Sequence, residues 1–330
     1  MAISERDFGR TGWRVSSIGF GAWAIGGSWG DVSETDAKDT LNAALDAGVT
    51  FIDTADVYGD GRSERIVRDV LADRPGSRPV VATKAGRRLD PHVAEGYSLE
   101  AIEAFVDRSL GNLGVDCIDL LQLHCPPTGV YYRPDLFEAL DRLIEKGKVR
   151  FLGVSVEKVE EALKAIEYPN VTSVQIIYNI FRQRPQDLFF REARARQIAV
   201  IARVPLASGL LSGKMSKDTR FAADDHRAFN RHGEAFDVGE TFAGVPYEVA
   251  LEAVDQLRPL VPEDATMAQF ALRWILMNDA VSVVIPGART PLQARSNAGA
   301  DALAPLSAEV LAAIDKVYEG LIKKHVHHRW

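Results

Sequence analysis

Two cysteines in 330 residues, Cys117 and Cys125, leave no disulfide framework and no metal-ligand spacing, and suggest a reducing compartment. No metal centre is expected. No apolar run approaches the roughly 18 residues of a membrane-spanning helix. The N-terminal stretch MAISERDFGR lacks the apolar core of a secretory signal. A cytoplasmic protein without a membrane partner is expected. There is no excess of positive charge either: 39 Lys and Arg face 46 Asp and Glu, a formal charge of −7, so nucleic acid and other polyanions have no support as partners. No Pro/Ser/Gly tract divides the chain and no short repeat recurs, so residues 1–330 are expected to form a single domain.

What is present reads as a large globular core, with 46% apolar and 26% charged residues. Eight runs rich in Val, Ile or Leu have the length and composition of strands buried on both faces: Ile18–Gly21, Thr50–Asp53, Val80–Thr83, Asp119–Leu123, Phe151–Ser155, Val174–Tyr178, Val200–Arg203 and Val281–Ile285. Helical periods lie between them. SETDAKDTLNAALDAG starts on a Ser33–Asp36 capping pair and stops at Gly48. SLEAIEAFVDRSLGNLG puts Leu99, Ile102, Val106, Leu110 and Leu113 on one stripe behind Ser98. Residues 212–247 show no period and are expected to form a long functional loop. Eight strands alternating with helices predict an α/β fold, a (β/α)₈ TIM barrel with its site at the C-terminal face. A doubly wound sheet is the alternative, because Gly19-Phe20-Gly21-Ala22-Trp23-Ala24 fits G-x-G-x-x-A. IGGSWGDV follows instead of a helix, which argues against a dinucleotide fingerprint.

Strand ends carry the chemistry in such a barrel. Asp53 ends the second strand, Lys84 follows the third, His124 follows the fourth, and Tyr58 lies in the loop after the second. Singly, each has an ordinary reading: a helix cap, a surface lysine, a rim histidine, a packing tyrosine. Together they form a proton-transfer device. A phenol titrates near 10, and a neighbouring ammonium lowers that value toward working pH. Asp53 would neutralise Lys84, and His124 would orient a carbonyl oxygen. The missing reductant would be a nicotinamide hydride donor.

The sequence resembles the aldo-keto reductases over nearly its whole length, from DFGRTGWRVSSIGFGAW to IPGARTPLQARSNAGA, with GVTFIDTADVYGDGRSERIV and RSLGNLGVDCIDLLQLH as its most specific segments. The resemblance implies a catalytic tetrad of Asp53, Tyr58, Lys84 and His124. It also implies NADP, or NAD, extended across the barrel mouth. Ser155 and Gln175 match positions that hold the nicotinamide carboxamide, while Val156 stands where an Asn is usual. Arg203 takes the place of a stacking aromatic, and its planar guanidinium can stack on a ring; Trp23 would close the ring from another side. Leu206, Gly209 and Lys214, with Arg220 nearby, match the diphosphate region. Gly287, Arg289, Gln293 and Asn297 match the adenosine end, where Ser296 replaces a usual Glu. Arg289 suits a 2′-phosphate.

These readings predict an NADP-dependent oxidoreductase that reduces a small aldehyde, ketone or sugar-type carbonyl, with Tyr58 as proton donor. An NAD-dependent sugar or alcohol dehydrogenase working oxidatively, or a cofactor-sensing regulatory subunit with slow turnover, are the alternatives. Trp23, Trp29, Tyr131 and Tyr132 are expected at the substrate pocket. Cys125 is expected as a small filler, and the KKHVHHRW tail as a solvated or lid-like segment rather than a metal site.

Overall fold

The computed structural model describes residues 3–27, 32–74 and 76–330; Trp29 lies outside them. The described residues form ten strands. β1 (Glu5–Asp7) and β2 (Arg14–Ser16) make an antiparallel hairpin. Eight parallel strands follow: β3 (Phe20–Gly21), β4 (Phe51–Asp53), β5 (Val80–Ala85), β6 (Ile118–His124), β7 (Val149–Ser155), β8 (Val171–Ile177), β9 (Ala199–Arg203) and β10 (Val283–Val284). Each pairs with the next in chain order. The seam closes where Ile18 pairs with Val284 and Gly21 with Gly287. The result is a (β/α)₈ barrel.

The glycines of the G-x-G-x-x-A stretch belong to that seam. A Cβ on Gly21 would stand 2.7 Å from the carbonyl oxygen of Ile285, so only glycine lets the first and last strands approach. A four-residue helical turn, Trp23–Gly26, comes next.

The helices start where their caps predict. Ser33 accepts from the Asp36 amide ahead of the helix Glu34–Asp46, and Ser98 from Ala101 ahead of Leu99–Leu113. The latter buries Leu99, Ile102, Val106 and Leu113. Full burial of each such side chain contributes about 1.5–3 kcal/mol.

The hairpin closes the N-terminal end of the barrel. Phe8 is fully buried and stacks on Phe51 at 5.2 Å, above Leu120, Ile201 and Val283. Trp13 meets Phe151 edge-on at 4.7 Å. Side chains two residues apart on a strand share a face, so each inward row runs from this apolar floor to the other end. Phe51 leads to Asp53, Ala82 to Lys84, Leu120 to Gln122 and His124, and Ile201 to Arg203. Bottom residues form an apolar core, and the polar side chains gather at the top.

Residues 212–247 are largely irregular, with short helical turns at His226–Phe229, Val238–Glu240 and Phe242–Gly244. The end of the tail packs against this segment, while Lys324, His328 and Arg329 stay exposed. Trp330 is buried and donates from Nε1 to Asp237 Oδ1 at 2.9 Å, with the Arg182 guanidinium 4.2 Å from its ring. Its shape is accommodated by Gly244, where a Cβ would come within 2.5 Å of the indole. Among the described residues no helix is long and apolar enough to cross a membrane.

Candidate active site

Lys84 Nζ is the hub. It donates to Asp53 Oδ2 at 2.6 Å, to the Thr54 carbonyl oxygen at 2.8 Å and to the Tyr58 hydroxyl at 3.2 Å. The other Asp53 oxygen accepts from Gln122 Nε2 at 3.1 Å and Gln175 Nε2 at 2.7 Å. Both charges are buried, and every oxygen of the carboxylate is engaged. A buried ion pair needs such extra hydrogen bonds to offset the cost of leaving water.

Tyr58 is positioned by a close glycine contact. Gly59 sits at φ +58°, and a Cβ there would overlap the Gly26 carbonyl oxygen at 1.8 Å. The loop after β4 therefore lies directly on the Trp23 turn, with the Tyr58 and Trp23 rings 18° from parallel and 5.9 Å apart. The His124 ring stands edge-on to Tyr58, at 5.9 Å and 86°.

The electrostatics differ from the sequence expectation in one respect. Burial raises the Tyr58 phenol, and the Lys84 charge only offsets this in part, so its net shift is upward. Burial would lower the Lys84 ammonium, but Asp53 and Tyr58 outweigh it and hold it up. Burial and the nearby cations Arg87, Lys84 and Arg203 push His124 well below its ordinary value. At neutral pH the site thus presents a protonated phenol, a full ammonium and a neutral imidazole.

Asp53, Tyr58 and His124 line one cleft of about 570 Å³, with Lys84 buried behind them. Trp23, Asp53, Ser155, Gln175, Arg203, Leu206, Gly209 and Lys214 border it, as do Gly287, Arg289, Gln293 and Asn297. Arg220 is the exception. It borders a separate cavity with Lys217 and Arg231, and its guanidinium donates to the Lys217 and Thr219 carbonyls. Sequence proximity to Lys214 therefore did not put it on the cleft. Tyr131 and Tyr132 do not border the cleft either. Tyr131 is buried with its hydroxyl 3.3 Å from the Ser155 carbonyl, and Tyr132 is exposed.

The set of lining groups suits a nicotinamide dinucleotide. The Ser155 hydroxyl, Lys214 and the exposed Arg289 border the cleft, while the Gln175 amide nitrogen is spent on Asp53 and Gln122. Val156 is fully buried and presents no amide. Asn297 is spent on the Gly287 carbonyl, at 3.1 Å, and Gln293 on the Arg289 amide, at 2.8 Å.

Sequence reasoning missed the charged wall of this cleft. Arg203 Nη2 donates to Glu157 Oε2 at 2.9 Å and to the Val156 carbonyl at 3.0 Å, while Nη1 faces Glu240 Oε2 at 3.7 Å. Arg87 Nη1 donates to Glu240 Oε1 at 2.8 Å. Cys125, Glu157 and Glu240 come within 4.8 Å of one another, but the cation among them is the Arg203 guanidinium, 3.6 Å from the sulfur. Burial pushes the Cys125 thiol up, consistent with a filler. Gln122 was missed too. The period-two row from Leu120 was the signal that could have found it.

The aldo/keto reductase family profile matches residues 17–319. An aldo-keto reductase of Bacillus subtilis is 33% identical, over 86% of this chain and 84% of that protein. A probable voltage-gated potassium channel subunit beta of Arabidopsis thaliana is 30% identical, over 99% of this chain and 100% of that one. The holo form of an aldo-keto reductase from Bacillus halodurans superposes with a TM-score of 0.76 at 27% identity, covering 98% and 99% of the two chains. The chain belongs to the aldo/keto reductase family, oxidoreductases that act on carbonyls with nicotinamide cofactors.

Proposed function

We propose that this protein reduces aldehydes or ketones with NADPH, using Tyr58 as the proton donor. The observation that carries the reading is the Lys84 hub, whose ammonium touches both Asp53 and the Tyr58 hydroxyl beside a neutral imidazole. A bound reduced nicotinamide supplies the hydride. The chain supplies the rest. His124 orients the carbonyl oxygen by a hydrogen bond. Tyr58, kept protonated by burial, passes its proton to that oxygen as charge develops there. The phenolate left behind is stabilised by Lys84, whose own charge Asp53 balances. Gln122 and Gln175 keep Asp53 fixed, so little reorganisation accompanies the proton transfer.

The preference for NADP rests on Arg289. It is exposed where it borders the cleft, and its guanidinium has no carboxylate partner among the described residues. Such a group can take a 2′-phosphate through paired donors. The similarity to a channel subunit supports a second reading, a redox-reporting subunit with slow turnover. A screen of aldehydes, ketones and sugars, run in both directions with both cofactors, tests the proposal. Steady NADPH oxidation on a small carbonyl is expected. Turnover only with NAD and a sugar or alcohol would replace it by an oxidative dehydrogenase, and negligible turnover throughout by the reporting role.

A further inference from the structure

Arg203 is held unusually firmly for an arginine facing a cleft. Its guanidinium is 7% exposed and is clasped by two carboxylates from separate segments, Glu157 after β7 and Glu240 in the long mouth segment. Glu240 is anchored in turn by Arg87 after β5. Among the described residues Arg203 Nε is buried without a partner, and the Glu157 and Glu240 carboxyls hydrogen-bond each other. The guanidinium can neither swing out nor be replaced by solvent, so its charge is a fixed feature of the wall.

We propose that Arg203, clasped by Glu157 and Glu240, is a specificity-determining cation that makes the cleft favour the neutral reduced nicotinamide over the cationic oxidised ring. The inference rests on the proposed function, with the ring taken to lie beside Ser155 and Gln175, the positions the family resemblance implies, and against the carbonyl held by Tyr58 and His124. Arg203 borders the same part of the cleft, at the end of the strand next to Gln175. The two redox forms differ by one positive charge on the ring. Contacts to ribose, diphosphate and adenosine are common to both and cancel in the ratio of their affinities. A like charge a few ångströms away, in a medium of effective dielectric about 20, weakens the oxidised form by about tenfold or more.

The charge of the wall depends on Glu157. Burial and the nearby Glu240 carboxylate push it up to about 8, although Arg203 pulls the other way. Burial would also raise Glu240, but Arg87 and Arg203 overturn this and hold it down at about 2. Near pH 7 the cradle therefore sets two guanidinium charges against one carboxylate. Above pH 8 Glu157 ionises and the wall becomes balanced. The other groups facing it are Lys84, balanced by Asp53; neutral Tyr58, His124 and Cys125; and, farther out, Arg182 and Asp237. Selection against the oxidised ring should fade as pH rises through about 8.

Binding of oxidised and reduced NADP, measured by fluorescence quenching without substrate at pH 7 and pH 9, tests this. Wild type is expected to show a Kd ratio, oxidised over reduced, several-fold higher at pH 7 than at pH 9. Glu157→Gln should keep the pH 7 ratio at both values. Arg203→Gln should lower the pH 7 ratio about tenfold, and Arg203→Lys should largely preserve it. A wild-type ratio in Arg203→Gln overturns the proposal. Should that variant fail to fold by circular dichroism, a Glu157→Gln ratio that still changes with pH like wild type overturns it instead. Tyr58→Phe serves as the control. Lost turnover in that variant with unaltered ratios in the cradle variants leaves the function standing and removes this inference, whereas failure of wild type to bind either form removes the function itself.

Discussion

Asp53 and Asp56 lie three residues apart in FIDTAD, are 3% and 0% exposed, and meet burial in opposite ways. Asp53 has a lysine and two amides around it. Among the described residues Asp56 has no side-chain partner for either oxygen. Burial and the Glu64 carboxylate raise it to about 7, while Arg88 and Arg108 pull only weakly because both are engaged with exposed Asp60. Burial of a charge therefore does not mark a working group. What distinguishes Asp53 is a set of partners that ends at the cleft, one hydrogen bond from a phenol. Asp56 is a cost that the barrel tolerates.

Breaking the paired side should have the largest effect. Lys84→Met leaves Asp53 as a buried carboxylate without its cation, which should cost about 3–5 kcal/mol of stability. It also removes the ammonium that stabilises the Tyr58 phenolate, so kcat should fall with it. Denaturant melts and turnover of the same preparation check both. A variant with wild-type stability would mean the pair is not coupled as described.

The unpaired side should respond with the opposite sign. The Asp56 carboxyl is raised from 3.8 to about 7, so the folded state holds its proton longer than the unfolded chain does. Ionisation therefore opposes folding. The penalty is absent below about pH 4, grows as pH rises toward 7, and is constant above. Asp56→Asn should stabilise the protein by about 1–4 kcal/mol at pH 8 and by almost nothing at pH 4. Its turnover should match wild type. Equal stabilities of the two proteins at pH 8 would mean that Asp56 has a partner after all.

A third charge sharpens the contrast, since Arg289 is unpaired for a different reason. It is exposed, and its proposed partner is a ligand phosphate. Arg289→Ala should weaken NADPH binding by about ten- to hundredfold, the worth of roughly 1.5–3 kcal/mol of charge-assisted hydrogen bonding, and leave NADH nearly unaffected. Parallel loss of both affinities would remove the basis for the NADP preference.

The difference between paired and unpaired charge also explains what could be read from sequence. The eight barrel strands were legible because β3–β10 are buried on both faces and so appear as apolar runs. Asp53, Lys84 and His124 were legible because they interrupt or end those runs. The hairpin was not, since Glu5–Asp7 and Arg14–Ser16 are three residues each and mostly polar. Glu240 was invisible for a deeper reason. It sits in a segment without periodicity, and its partners Arg87 and Arg203 are 153 and 37 residues away along the chain. The burial of Trp330 was not legible, because a terminal aromatic among basic residues has no period to betray it.

The central claim is that the phenol at the end of the Lys84 hub delivers the proton. Tyr58→Phe removes one oxygen and leaves the ring, its stacking on Trp23 and the Asp53–Lys84 pair in position. Single-turnover reduction of a good substrate, with NADPH affinity measured on the same variant, isolates that oxygen's contribution. General acid catalysis predicts a fall in rate of about 10²–10⁴-fold at unchanged NADPH affinity. A rate within a few-fold of wild type, with cofactor bound normally, would contradict the account.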